Sequence, residues 1–120
     1  MEKDTKAEVI LSVRSAALQR QVLIHKKNWQ EHIVQNHEEV WQHLNGLIKK
    51  ALESGHPDVV VFEKMEDASE VLLYHECPHF KPFHSFLKIA IKLVGDVGYV
   101  KSIYPVGGMQ IKGLKPYGSH

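Results

Sequence analysis

Two histidines five residues apart, His32 and His37, stand in the run Asn28-Trp29-Gln30-Glu31-His32-Ile33 and the Asn36-His37-Glu38-Glu39 that soon follows. An imidazole titrates near neutrality, so either ring can take or give a proton at physiological pH. The bland alternatives are a core histidine donating one hydrogen bond at His32 and a helix-corner ring capping backbone groups at His37. Further on, Lys88 and Lys92 flank the small Ala90 in an alternating segment, where two ammonium groups on one sheet face suit an anion or simply face solvent. A separate set, His75-x-Cys77-x-His79 with His84 five further on, puts three donors at period two on one side of an extended segment. Imidazole with thiolate suits zinc. Against that reading, Pro78 and Pro82 interrupt the segment, and nine histidines in 120 residues make chance clustering easy.

The elements that must carry these residues follow from capping and periodicity. Asn28 with Glu31, and Asn36 with Glu39, each read as an N-cap with a glutamate three positions on, so the chain is told twice to start a helix. A short helix, a corner at His37 and a longer helix are predicted. From Val40, the residues Val40, Trp41, Leu44, Leu47, Ile48, Ala51 and Leu52 recur with a period near 3.6, an amphipathic helix stopped by Gly55 and Pro57. Gly46 within it suggests close packing against a neighbour.

Around the helices the pattern is that of strands. Ala7 to Val13 alternates, Gln21 to His25 is β-rich, and the two are expected to pair as an N-terminal hairpin. After Asp58 come four strand-like runs: Val59 to Phe62, Val71 to Cys77, Phe86 to Val94, and Tyr99 to Tyr104 across a Gly95-Asp96-Val97-Gly98 turn. Short links imply an antiparallel meander. In the third run Leu87, Ile89, Ile91 and Leu93 point one way and Lys88, Ala90 and Lys92 the other. Simple alternation in the fourth puts Val100, Ser102 and Tyr104 on one face and Tyr99, Lys101 and Ile103 on the other. Pairing register decides which set meets the lysines, and sequence alone does not fix it.

Composition bounds the class. The length fits one domain, 1–120, with a hydrophobic core of its own. No apolar run nears the roughly 20 residues of a membrane helix, and Met1-Glu2-Lys3-Asp4 lacks a signal-peptide layout, so a cytoplasmic protein is expected. The single Cys77 fits a reducing compartment. Net charge is only +1, but residues 1–77 carry nine Lys/Arg against thirteen Asp/Glu, and residues 78–120 carry six lysines against Asp96 alone. Those lysines (Lys81, Lys88, Lys92, Lys101, Lys112, Lys115) are spread through strand-like sequence. They read either as a folded basic surface or as solvated strand edges that resist aggregation.

The ordered combination of Trp29, His32, Ile33, His37, Glu39, Pro57, Asp58, Ser102 and Tyr104, over about residues 20–113, resembles the phage-type branch of the barnase, EndoU, colicin and RelE-like ribonuclease fold. That branch has a W-x-x-H-I entry followed by H-P-E, a helix ending before P-D, a β-meander, and a last strand with Ser or Thr two before Tyr. Two positions depart from the pattern. Glu38 stands where proline is expected after the second histidine, and His75 in Tyr74-His75 stands where an arginine is often seen, which removes a bidentate phosphate clamp.

The resemblance implies an α+β domain: a short helix and an amphipathic helix packed on a mostly antiparallel meander, with the N-terminal hairpin extending it or covering an edge. It implies metal-independent RNA cleavage or RNA binding of toxin or phage-accessory type, with no cofactor. RNA is then the partner, and an antidote protein a second one. His32 or His37 would transfer protons, Lys88 or Lys92 would hold phosphate, Ser102 would hydrogen-bond it, and Tyr104 would stack or orient. A catalytically silent binding module on the same fold, and a small domain stabilised by zinc at His75, Cys77, His79 and His84, are the competing expectations.

Overall fold

The computed structural model describes residues 8–34, 44–55, 58–81 and 84–117, and of residues 32–34, 44–45, 77–81 and 84–85 the backbone alone. It is mostly sheet. The strands are β1 (Val9–Ser15), β2 (Arg20–His25), β3 (Val59–Lys64), β4 (Glu70–Lys81), β5 (His84–Val94), β6 (Val97–Val106) and β7 (Leu114–Pro116). They form one seven-stranded sheet in the order β1-β2-β6-β5-β4-β3-β7. The expected hairpin is present as β1 and β2, and the expected meander as β3 to β6, each neighbouring pair antiparallel. Two features lie outside the expectation. β7 adds antiparallel to β3, and β2 joins the meander by pairing parallel to β6 at Gln21↔Val97, Val22↔Gly98 and Leu23↔Tyr99.

The parallel join depends on close approach at Gly98. A Cβ there would meet Ile91 Cγ2 at 2.9 Å and Val22 Cγ2 at 3.5 Å, so only glycine lets β2, β5 and β6 pack together at this point. The adjacent turn is two residues long, with Gly95 at φ +60°, a conformation that glycine adopts without strain. The Arg20 guanidinium donates to the Gly95 carbonyl at 2.8 Å and ties the start of β2 to that turn.

Helical segments are short among the described residues. α1 (Lys26–Asn28) continues as wider π-type turns over Trp29–Val34, and α2 (Lys49–Glu53) is preceded by similar turns over Leu44–Ile48. Asn28 is not the predicted cap: the helix starts after His25, and the Asn28 amide donates to the carbonyls of Val100 at 2.6 Å and Lys101 at 3.1 Å. Gly46 is exposed, and nothing among the described residues would meet a Cβ there, so the close packing expected of it is not found against any described neighbour. The second predicted start, at Asn36, and the corner at His37 lie outside the described residues. No described helix is long and apolar enough to cross a membrane.

The main core lies on one face of the sheet. Val71, Leu73, Leu87, Ile89, Ile91, Val100 and Ile103 from the meander join Val22 and Ile24 from β2, Trp29 from the first helical segment, and Ile48, Ala51 and Leu52 from the second. Each such fully buried aliphatic side chain contributes roughly 1.5–3 kcal/mol relative to exposure. Backbone bonds from Ala16 to Glu53 and from Ala17 to Ser54 dock the end of α2 on the turn after β1. That turn is closed by Ser15, fully buried, whose hydroxyl accepts the Leu18 N–H at 3.0 Å. The opposite face carries a smaller cluster, Leu72, Tyr74 and Ala90, with Phe62, Phe86, Val106 and Leu114 packed against it.

Candidate nucleic-acid interface on the outer sheet face

A β-bulge in β6 decides what shares a face with the lysines. Lys88 pairs with Tyr104 and Ala90 with Ser102, but Ile91 pairs with Val100, so Lys101 is an extra residue. An extra residue resets the alternation. Val100 and Ile103 therefore both enter the main core, while Tyr99, Ser102 and Tyr104 share the outer face with Lys88 and Lys92. The strict alternation expected of this strand is corrected accordingly: Val100 leaves the Ser102 and Tyr104 set, and Tyr99 joins it. Asn28 donates to the two carbonyls at the bulge itself, which anchors α1 there.

On that face Lys88 is the central cation. Its Nζ lies 5.3 Å from the centroid of the Tyr104 ring and 6.0 Å from that of Tyr74, within the range where a ring quadrupole attracts a cation. Tyr74 is almost wholly buried, meets Phe62 edge-on at 6.0 Å, and donates its hydroxyl to the Gln110 carbonyl at 3.4 Å. Burial disfavours the charge on Lys88, but hydrogen bonding to Tyr104 and charge interaction with Tyr104 and Tyr74 outweigh it, and the pKa is raised above its ordinary value. The amine is thus a permanent cation at neutral pH. Beside it runs an open groove of about 620 Å³ whose lining includes Lys64, Leu72, Lys88, Lys112 and Leu114.

Lys92, Lys64 and Lys101 on this face are neutralised locally. Lys92 donates to Ser69 Oγ at 2.7 Å and sits 3.4 Å from Asp67 Oδ2. The Ser69 hydroxyl and backbone N–H, together with Lys92, hold the Asp67 carboxyl below its ordinary pKa. Glu70 binds two lysines, Lys64 and Lys101, each at 3.2 Å. Burial pushes its pKa up, but the bonds from Lys101 and Lys64 prevail and the net pKa is lowered. On the other side of the sheet, Lys115 pairs with Glu63 at 3.5 Å. Among the described residues Lys88 has no carboxylate partner.

Of the residues nominated by sequence, Lys88, Ser102 and Tyr104 are brought together, and Lys92 shares their face but is bound to Asp67 and Ser69. His32 belongs to the Trp29–Val34 turns, but its side chain lies outside the described residues, as does all of His37. His75 points to the inner side with Leu73 and Leu87, and its Nδ1 is buried without a hydrogen-bond partner among the described residues. The side chains of Cys77, His79 and His84 lie outside the described residues. Among the described residues no group of three His, Cys, Asp or Glu could hold a metal ion. Two residues that sequence reading passed over reach the same outer face, Tyr99 and His25, with ring centroids 5.3 Å apart at 67°. Only the bulge reveals Tyr99, and no signal in the sequence marks a bulge at Lys101.

The arrangement offers a fixed cation, a hydroxyl donor at Ser102 and a half-exposed aromatic ring at Tyr104, the parts needed to hold a phosphodiester and an adjoining base. Comparison with known proteins found no matching family model, no matching curated protein and no matching solved structure.

Proposed function

We propose that this chain engages RNA on the outer face of its sheet and cuts it without metal, as a ribonuclease-like domain of toxin or phage-accessory type. The observation that carries the reading is the register Lys88↔Tyr104 and Ala90↔Ser102, which gathers on one face the lysine, serine and tyrosine that the resemblance nominates from separate strands. Lys88 neutralises the phosphate, Ser102 hydrogen-bonds it and Tyr104 orients the base.

Proton transfer falls to His32 or His37. His32 follows Asn28 by four residues, about one helical turn, and Asn28 is bound at the bulge next to Ser102, which supports a histidine close to the phosphate site. On this reading the two helical segments form the pair packed on the inner face, and the cytoplasm, with RNA and an antidote protein as partners, is the setting. A silent binding module is the second reading. It is favoured by His75 in place of an arginine and by the capture of Lys92 by Asp67 and Ser69.

The test is anisotropy of a labelled single-stranded RNA titrated with wild type and Lys88→Gln. The reading expects binding that weakens about tenfold in the variant, the scale of one charge-assisted contact. RNA bound equally by both would remove Lys88 from the site.

A further inference from the structure

Where β2 leaves β6, a hollow of about 310 Å³ opens, lined by Leu23, His25, Asn28, Tyr99, Val100 and Lys101. Its size is at the lower end of small-ligand sites. We propose that this hollow is a second RNA subsite, receiving the nucleotide next to the one held at Lys88, Ser102 and Tyr104, so that the ligand is a single strand lying along β6. The inference rests on the RNA-binding reading above.

Three features of the hollow fit a nucleotide. The rings of His25 and Tyr99, set at 67° with centroids 5.3 Å apart, form a corner in which a flat base stacks on one ring and meets the edge of the other. Imidazole nitrogens can donate to or accept from a base edge, which an apolar wall could not do. Lys101, half exposed at the rim, supplies a cation between the two subsites. It now binds Glu70, which retains Lys64 as partner when Lys101 turns to a phosphate.

Spacing and rigidity agree with one strand of RNA. Tyr99 and Ser102 lie opposite Lys92 and Ala90, which are two residues apart on β5, about 7 Å at the usual rise of a strand, so an extended strand can occupy both positions in succession. The bulge that brings Tyr99 to this face also borders the hollow, and Asn28, which lines it, is held by two bonds to the carbonyls at that bulge. Bulges commonly re-aim side chains beside binding sites. A duplex, with its bases stacked and paired, would present no free base to either ring, so the ligand is single-stranded.

The experiment compares a single-stranded RNA hexanucleotide with a mononucleotide, on wild type, His25→Ala, Tyr99→Leu and Lys88→Gln, with folding of each variant checked by thermal melting. Removing a stacking partner should weaken the hexanucleotide about tenfold in H25A and Y99L and leave the mononucleotide unchanged, whereas K88Q should weaken both. Imidazole resonances of His25 in wild type should shift with the hexanucleotide and not with the mononucleotide, a readout that needs no variant to fold. Hexanucleotide bound normally by H25A and Y99L, or an unshifted His25, overturns the second subsite while a K88Q defect leaves the first intact. A hexanucleotide that binds none of the four proteins overturns both.

Discussion

Lys88 and Tyr104 face each other across β5 and β6, with the ammonium 5.3 Å from the ring centroid. Together they make a cation held against an aromatic ring without a described carboxylate to neutralise it. A side chain already ordered in this way loses less freedom when it meets a phosphate, which favours it over the long lysines that swing in solvent.

Replacing Lys88 with Gln should therefore change the salt dependence of RNA binding as well as its strength. One lost phosphate contact lowers the slope of log K against log salt by about 0.7 for a single strand. The melting temperature should barely move, because a partly exposed substitution of this kind stays within about 0.5 kcal/mol. Titrations at several salt concentrations check this; an unchanged slope would mean that Lys88 touches no phosphate.

Gly98→Ala tests the join between the hairpin and the meander. The new methyl would meet Ile91 Cγ2 at 2.9 Å inside a packed core, so a loss of roughly 1–3 kcal/mol is expected. Denaturant unfolding measures it. Wild-type stability in the variant would show that β2 does not approach β6 as closely as described.

Much of the sheet was legible in the residues, and its reasons are local. Leu87, Ile89 and Ile91 alternate with Lys88 and Ala90, and that alternation survives as the inner and outer faces of β5. The Val40 to Leu52 periodicity likewise places Ile48, Ala51 and Leu52 in the core. The rest depended on contacts distant in sequence. Asn28 reads as a helix cap because its sequence neighbour Glu31 completes the motif, yet carbonyls 72 and 73 residues away claim its amide. Tyr99 and Ser102 look like opposite faces until the bulge at Lys101 is known. The parallel pairing of β2 with β6 has no local signature either; it needs Gly98 and Val22 to meet. Of the candidate site, the lysine, serine and tyrosine were readable as residue types, but their meeting on one face was not.

Acid should weaken the fold through Glu70. Its folded-state pKa lies below the ordinary value, so the stability it contributes is fully present above the unfolded pKa of about 4.3 and is lost as pH falls through the lower folded value. Wild type and Glu70→Gln should accordingly differ in melting temperature at pH 7 and converge toward pH 3. A gap that stays constant over that range would remove Glu70 from the acid response.

Chelation separates the zinc alternative. If His75, Cys77, His79 and His84 held a structural metal, its removal would lower the melting temperature, since binding energy at such a site is folding energy. The RNA reading expects the same melt before and after prolonged dialysis against a chelator. A drop, with about one metal per chain by elemental analysis, would favour the zinc-stabilised domain instead.

The central claim is met most directly by incubating the purified protein with single-stranded RNA in a chelating buffer and analysing the ends of the fragments. Cleavage through the neighbouring hydroxyl should leave 2′,3′-cyclic phosphates and spare an oligonucleotide with a 2′-deoxy sugar at the scissile position, and Ala in place of the proton-transferring member of His32 and His37 should cost about 10²-fold or more in rate. RNA that is bound but left whole across pH 5 to 9 would leave only the silent module; RNA neither bound nor cut would contradict the account.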